Sequence, residues 1–123
     1  MRISSKFRPY GKGRKAVRPV TGSSSSVVQA KAGDRVYDTS VLRSGENNEG
    51  RKLYSCSLDS GFRHQVRCHL AWMGFPIVGD TVYGGAPAEH LRLAATGLRF
   101  PDPEGGGYLT VCWSVPPDWA TPT

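Results

Sequence analysis

The sequence predicts an α+β domain: a mostly antiparallel or mixed β-sheet with one main helix. Three observations carry that class. "DRVYDTSVLRS" and "RKLYSCSLDS" are β-branched or alternating segments on either side of the polar turn "SGENNEG". From His64 the apolar spacing becomes helical, with Val66, Leu70 and Met73 on one face. "LRLAATGLRF" and "YLTVCWSV" then return to strand character across "PDPEGGG". A chain of 123 residues, 38% of them apolar, suits a single globule with a modest core.

In chain order, residues 1–33 are expected to be a basic arm or linker rich in Gly, Pro and Ser, and residues 34–123 the folded domain. The arm carries Arg2, Lys6, Arg8, Lys12, Arg14, Lys15, Arg18 and Lys31 with no acid, leaving eight bases against ten acids beyond it. The formal net charge of +6 therefore belongs to the first quarter of the chain. Ser23 to Ser26 are expected to be its most mobile part, with order beginning near Val27. Such an arm suits either a solvated disordered tail or a polyanion contact, for which nucleic acid is preferred to membrane because no apolar stripe accompanies the charges. Lys12, Arg14, Lys15 and Arg18 are its candidate contacts.

No early apolar run resembles a secretory signal, and nothing approaches the length of a membrane span, so a soluble, cytoplasmic protein is expected. Cys56, Cys68 and Cys112 are odd in number and widely spaced, which fits reduced thiols rather than a disulfide framework.

The helix starts in a polar cluster. Ser60 is a plausible cap, and Gly74 with Pro76 ends the element. Backbone N–H groups of a first helical turn are unpaired and partly positive, and Arg63 and Arg67, four apart, share a face there. Together they suit a phosphate or a carboxylate held through bidentate hydrogen bonds. His64, Cys68 and His69 invite a metal, but four ligands are needed and no C-x-x-C pair or acidic cluster supplies the others. No metal and no cofactor is expected. Cys68 as a nucleophile lacks an orienting third group, so a half-buried small residue is its expected role. Asp80 follows Gly79 in a turn and is expected to bond local backbone.

"GFRHQVRCHLAWMGFPIVGDTVYGG" resembles the late signature of the RluA-like pseudouridine synthase family, G-R-T-H-Q-I-R-x-H-L followed by G-x-P-I-x-G-D-x-x-Y-G. Gly61, His64, Gln65, Arg67, His69, Leu70, Gly74, Pro76, Ile77, Gly79, Asp80, Tyr83 and Gly84 carry the resemblance. "LRLAATGLRFPDPEGGGYLTV" is similar to the family's closing strands, so the likeness covers about residues 35–119, and "FRPYGKGRKAVRPV" resembles the segment that joins the two halves in one branch. Phe62 stands where the family usually has arginine and Arg63 where it has threonine.

The resemblance implies half of a synthase catalytic domain, acting on rRNA or tRNA without metal or cofactor. In that family an aspartate in an H-R-L-D-type stretch drives the isomerisation of a flipped uridine. No such stretch occurs in this sequence, and Asp34, Asp38, Asp59, Asp80, Asp102 and Asp118 lack its surroundings. Arg67 matches the basic residue that pairs with that aspartate, and Arg63, His64 and Gln65 fall where the family meets RNA. The chain alone is therefore expected to be inactive, to need the missing N-terminal half of the domain, and to self-associate through an uncovered strand edge. The alternative is a noncatalytic RNA-binding module, its arm tracking phosphates and Tyr10, Phe62 or Trp72 stacking on bases, although core packing is the expected fate of Trp72.

Overall fold

The computed structural model describes residues 1–116, Trp119 and Thr121–Pro122. Asp118, one of the aspartates weighed above, lies outside them. The α+β class holds. Strands β1 (Arg2–Tyr10), β2 (Ala16–Val20), β3 (Tyr37–Glu46) and β4 (Lys52–Ser57) form an antiparallel sheet in the order β2-β1-β3-β4. A short helix α1 (Ser26–Ala30) follows β2, and the main helix α2 (Gln65–Trp72) follows β4. Strands β5 (Gly97–Pro101) and β6 (Tyr108–Cys112) make a separate hairpin, and β7 (Thr121–Pro122) adds to β3 at Gly45 and Glu46. No helix among the described residues is long and apolar enough to cross a membrane.

The largest correction concerns the basic arm. Order does not begin near Val27: β1 pairs with β3 through Arg2–Ser5 and with β2 through Lys6–Tyr10, so residues expected to be a linker supply half of the four-stranded path. The physical reason is period two. Ile3, Ser5 and Phe7 point inward and are buried, while Arg2 and Ser4 stay exposed. Burying Phe7 contributes about 2 kcal/mol toward ordering the strand. The serines are ordered too. Ser25 caps α1 by accepting from the Val28 N–H at 3.3 Å, and Gln29 closes the turn onto the carbonyl of Ser24 at 2.6 Å.

The hairpin expected across "SGENNEG" is β3–β4, and that across "PDPEGGG" is β5–β6, where Gly105, Gly106 and Gly107 all adopt positive φ. Helix α2 lies against the sheet and divides two small cores. Leu70 packs with Ile3 and Val41, and Cys68 with Phe7 and Val17. Phe62 joins the second core by stacking on Phe7 at 5.2 Å. The helix turns Leu70 and Val66 of the expected face toward the sheet but leaves Met73 exposed, and widens the buried face with polar residues. Its buried residues are Gln65, Cys68, His69 and Leu70, whereas Val66 is half-buried and Trp72 and Met73 are exposed. Trp72 is therefore not a core residue.

Hydrogen bonding explains that choice. His69, with no exposed surface, lies 2.8 Å from Ser5 Oγ on one ring nitrogen and 2.8 Å from Thr39 Oγ1 on the other. Gln65 donates to Thr39 Oγ1 and to the carbonyl of Asp38, both at 3.0 Å. Every member finds a partner, so polar side chains replace apolar ones between helix and sheet at little cost.

Candidate functional site

The polar cluster at the start of α2 is assembled by two turns. The first, Ser60 to His64, leads into the helix. His64, at φ 60°, occupies the left-handed region and starts the helix without a side-chain cap. Ser60 is not the cap; its hydroxyl accepts from Arg35 instead. The loop is held because the Gln65 side chain accepts from the Phe62 N–H at 2.9 Å.

The second turn follows the helix at "GDTVYGG". It is tight: a Cβ on Gly79 would stand 2.1 Å from the His90 carbonyl oxygen, and one on Gly85 2.0 Å from that of Ile77. Gly79 also has φ +85°, which disfavours any side chain. The Gly79 N–H donates to the Ala86 carbonyl and the Gly85 N–H to that of Asp80, each at 2.7 Å, closing the loop on itself.

This closure delivers Asp80 and Tyr83 to the helix. Arg67 donates from Nε and Nη2 to the two carboxylate oxygens of Asp80, both at 2.9 Å. The Asp80 side chain has no exposed surface and that of Arg67 only 18%. The Tyr83 ring lies under the guanidinium at 5.4 Å and edge-on to His64 at 5.7 Å. Its hydroxyl accepts from the Val17 N–H at 2.9 Å and lies 3.0 Å from His64 Nδ1. One phenol thus ties the turn, the helix start and β2 together.

Two expectations change here. Asp80 does not use its carboxylate on local backbone, and Arg67 has an anionic partner within the chain on one edge of its guanidinium. Nη1 forms no hydrogen bond among the described residues. The Asp80 carboxylate holds the Arg67 guanidinium above its usual pKa through hydrogen bonding. Burial, then the charges of Arg67 and Arg63, lower the His64 pKa, so its imidazole is neutral near pH 7.

The remaining candidates divide. Arg63 donates to the Arg14 carbonyl at 2.8 Å, which brings the tip of the β1–β2 hairpin, with exposed Lys12, Arg14 and Lys15, beside the start of α2. Arg18 is exposed on β2 directly opposite Arg8, and its guanidinium lies 6.0 Å from the Tyr10 ring centroid. Gln65 is buried, and its amide is engaged with the Phe62 N–H, the Asp38 carbonyl and Thr39 Oγ1. Cys68 is buried, its Sγ faces the Val17 carbonyl at 3.5 Å, and burial pushes its thiol up to about 12, which excludes it as a nucleophile. No group of three metal-ligating side chains occurs among the described residues.

Sequence reasoning missed the Arg67–Asp80 pair and the roles of Tyr83, Ser5 and Thr39. The "GD" and "VYGG" steps were visible, but no local spacing links position 80 to position 67.

No family model matches the chain. Similarity to individual proteins is nonetheless clear. The chain is 35% identical over 71 residues to the uncharacterized RNA pseudouridine synthase YlyB of Bacillus subtilis, covering 55% of this chain and 23% of that protein. Its relatives are RNA pseudouridine synthases. RNA pseudouridine synthase 5 of Arabidopsis thaliana is 34% identical over 94 residues, 74% of this chain and 25% of the synthase. Ribosomal large subunit pseudouridine synthase D of Pseudomonas aeruginosa is 42% identical over 48 residues, 36% of this chain and 15% of the synthase. The chain thus spans a quarter or less of each of these synthases.

Proposed function

We propose that this chain is the C-terminal portion of a pseudouridine synthase catalytic domain, supplying RNA-binding surface and the arginine partner of a catalytic aspartate carried by another segment. The observation that carries the reading is the state of Arg67. Asp80 occupies its Nε and Nη2 edge, which leaves Nη1 for a second carboxylate, and a shared guanidinium suits a group that must keep such a carboxylate ionised. Similarity to synthases, over a stretch much shorter than they are, supports the same view.

RNA, rRNA or tRNA, is the substrate class in this reading. Lys12, Arg14, Lys15 and Arg63 would meet phosphates near the helix start, and Arg18 with Arg8 would meet them along the strand face. The remainder of the catalytic domain has a candidate seat. β4 ends the sheet, and beside it opens a cavity of about 830 Å³ lined by Leu53, Tyr54, Leu58, Phe75, Ile77 and Leu93, among others. Without that remainder, the same edge would drive self-association of the isolated chain. Three free thiols suit a reducing, cytoplasmic setting.

A noncatalytic RNA-binding module is the second reading, favoured by the fact that Arg67 already has a carboxylate in this chain. Tritium release from uridine-labelled RNA, measured with RNA binding on the purified chain, tests both. Binding that weakens with salt and no release is the expected result. Release of tritium by the chain alone would overturn the borrowed aspartate, and absence of RNA binding would overturn both readings.

A further inference from the structure

We propose that Tyr83 and Asp80 are positioning residues that give His64 and Arg67 one defined donor edge each, Nε2–H toward a phosphodiester of the bound RNA and Nη1–H toward the carboxylate carried by the other segment. The inference rests on the RNA reading above and adds the protonation state and the residues that impose it.

A phenol has one proton to donate. The Tyr83 oxygen accepts from the Val17 N–H at 2.9 Å, and that amide belongs to a residue only 1% exposed, so the bond is not exchangeable for water. Among the described residues, the acceptor hydrogen-bonded to the phenol is His64 Nδ1 at 3.0 Å. With Nδ1 accepting, the ring proton sits on Nε2, which has no hydrogen-bond partner among the described residues. His64 is thereby a donor, not a base.

Asp80 plays the equivalent part for Arg67. Two parallel bonds at 2.9 Å fix the plane of the guanidinium, and the Tyr83 ring beneath it at 5.4 Å fixes its face. His64 and Arg67 both pack against the same phenol ring, so one side chain orients both. A fixed donor with no acceptor of its own suits an anionic oxygen.

The direct test is nitrogen NMR on the full chain labelled at His and Arg. In the wild type, His64 Nδ1 should show the unprotonated shift and Nε2 the protonated one, and the Arg67 Nε–H signal should persist at neutral pH. Tyr83→Phe should convert His64 to a mixture of tautomers while leaving the Arg67 signal. Asp80→Asn should lose the Arg67 signal while leaving the His64 tautomer. A uridine oligonucleotide should perturb His64 Nε2 in the wild type and bind about tenfold more weakly to Tyr83→Phe, the equivalent of one charge-assisted hydrogen bond.

A proton on Nδ1 in the wild type, or an unchanged tautomer in Tyr83→Phe, overturns the inference. The wild-type spectrum decides it even if a variant does not fold. An oligonucleotide that leaves the chain unperturbed overturns the RNA reading, while the tautomer measured without RNA still reports on the positioning.

Discussion

Asp80 holds Arg67 from a position with no exposed surface, through two hydrogen bonds of 2.9 Å. A buried carboxylate is tolerated because its charge and both its oxygens are matched, so removing the guanidinium strands it. Arg67→Ala should therefore destabilise the chain by about 3 kcal/mol, and Arg67→Lys by less, since lysine keeps the charge and loses the fork. Urea denaturation of the two variants checks the order. Equal losses would mean that planar geometry contributes nothing.

Tyr83→Phe should cost about 1–2 kcal/mol by leaving the Val17 N–H without an acceptor. Hydrogen exchange at Val17 should accelerate in the variant, while exchange at Val41, whose N–H donates to the Met1 carbonyl at 2.7 Å, should not change.

The glycines of the second turn should differ sharply. Gly79→Ala adds a Cβ that meets the His90 carbonyl and also strains the backbone, so a loss of about 3 kcal/mol is expected. Gly84→Ala shares the positive φ but has open space around it, and about 1 kcal/mol is expected. Similar thermal midpoints for the two would show that the turn widens freely.

Acid should weaken the fold through His69. In the folded chain burial pushes its pKa down to about 4, against an ordinary value of 6.5. Above pH 6.5 the imidazole is neutral in both states and the contribution is complete. As pH falls from 6.5 towards 4 the unfolded chain takes up a proton that the folded chain refuses, so stability is lost across that window, on the order of 3 kcal/mol. His64, also lowered, adds a loss of the same sign. Urea midpoints recorded between pH 7 and 4 should fall, and less steeply in His69→Gln.

Deleting residues 2–20 should abolish folding, because it removes β1 and β2 together with Ile3, Phe7, Val17 and Val20 from the buried set. Loss of the amide spectrum throughout the chain is expected, and a truncated chain that stayed folded would return these residues to the status of an arm.

Legibility in the sequence followed turn chemistry. The β3–β4 and β5–β6 hairpins were readable because polar and glycine-rich turns separate β-branched runs. β1 was not, because Arg2, Lys6 and Arg8 dominate its composition and hide the alternation of Ile3, Ser5 and Phe7. Gly11 and Gly13, read as linker punctuation, are the bend of a hairpin. Helix α2 was recognised as an element with Leu70 and Val66 inward, but apolar spacing assigns no inward role to Gln65 or His69. The site was half legible. Arg67 and His64 stood out, while Asp80 and Tyr83 reach them only through a tertiary turn.

The split pairing of β1 also orders the events of folding. Tyr10 finds Ala16 across a short loop, whereas Ser5 must find Tyr37 across a much longer one. Closing the longer loop costs more chain entropy, and the difference grows only as a logarithm of length. The cationic hairpin therefore nucleates early, and the central strand waits, half zipped, for β3 to arrive.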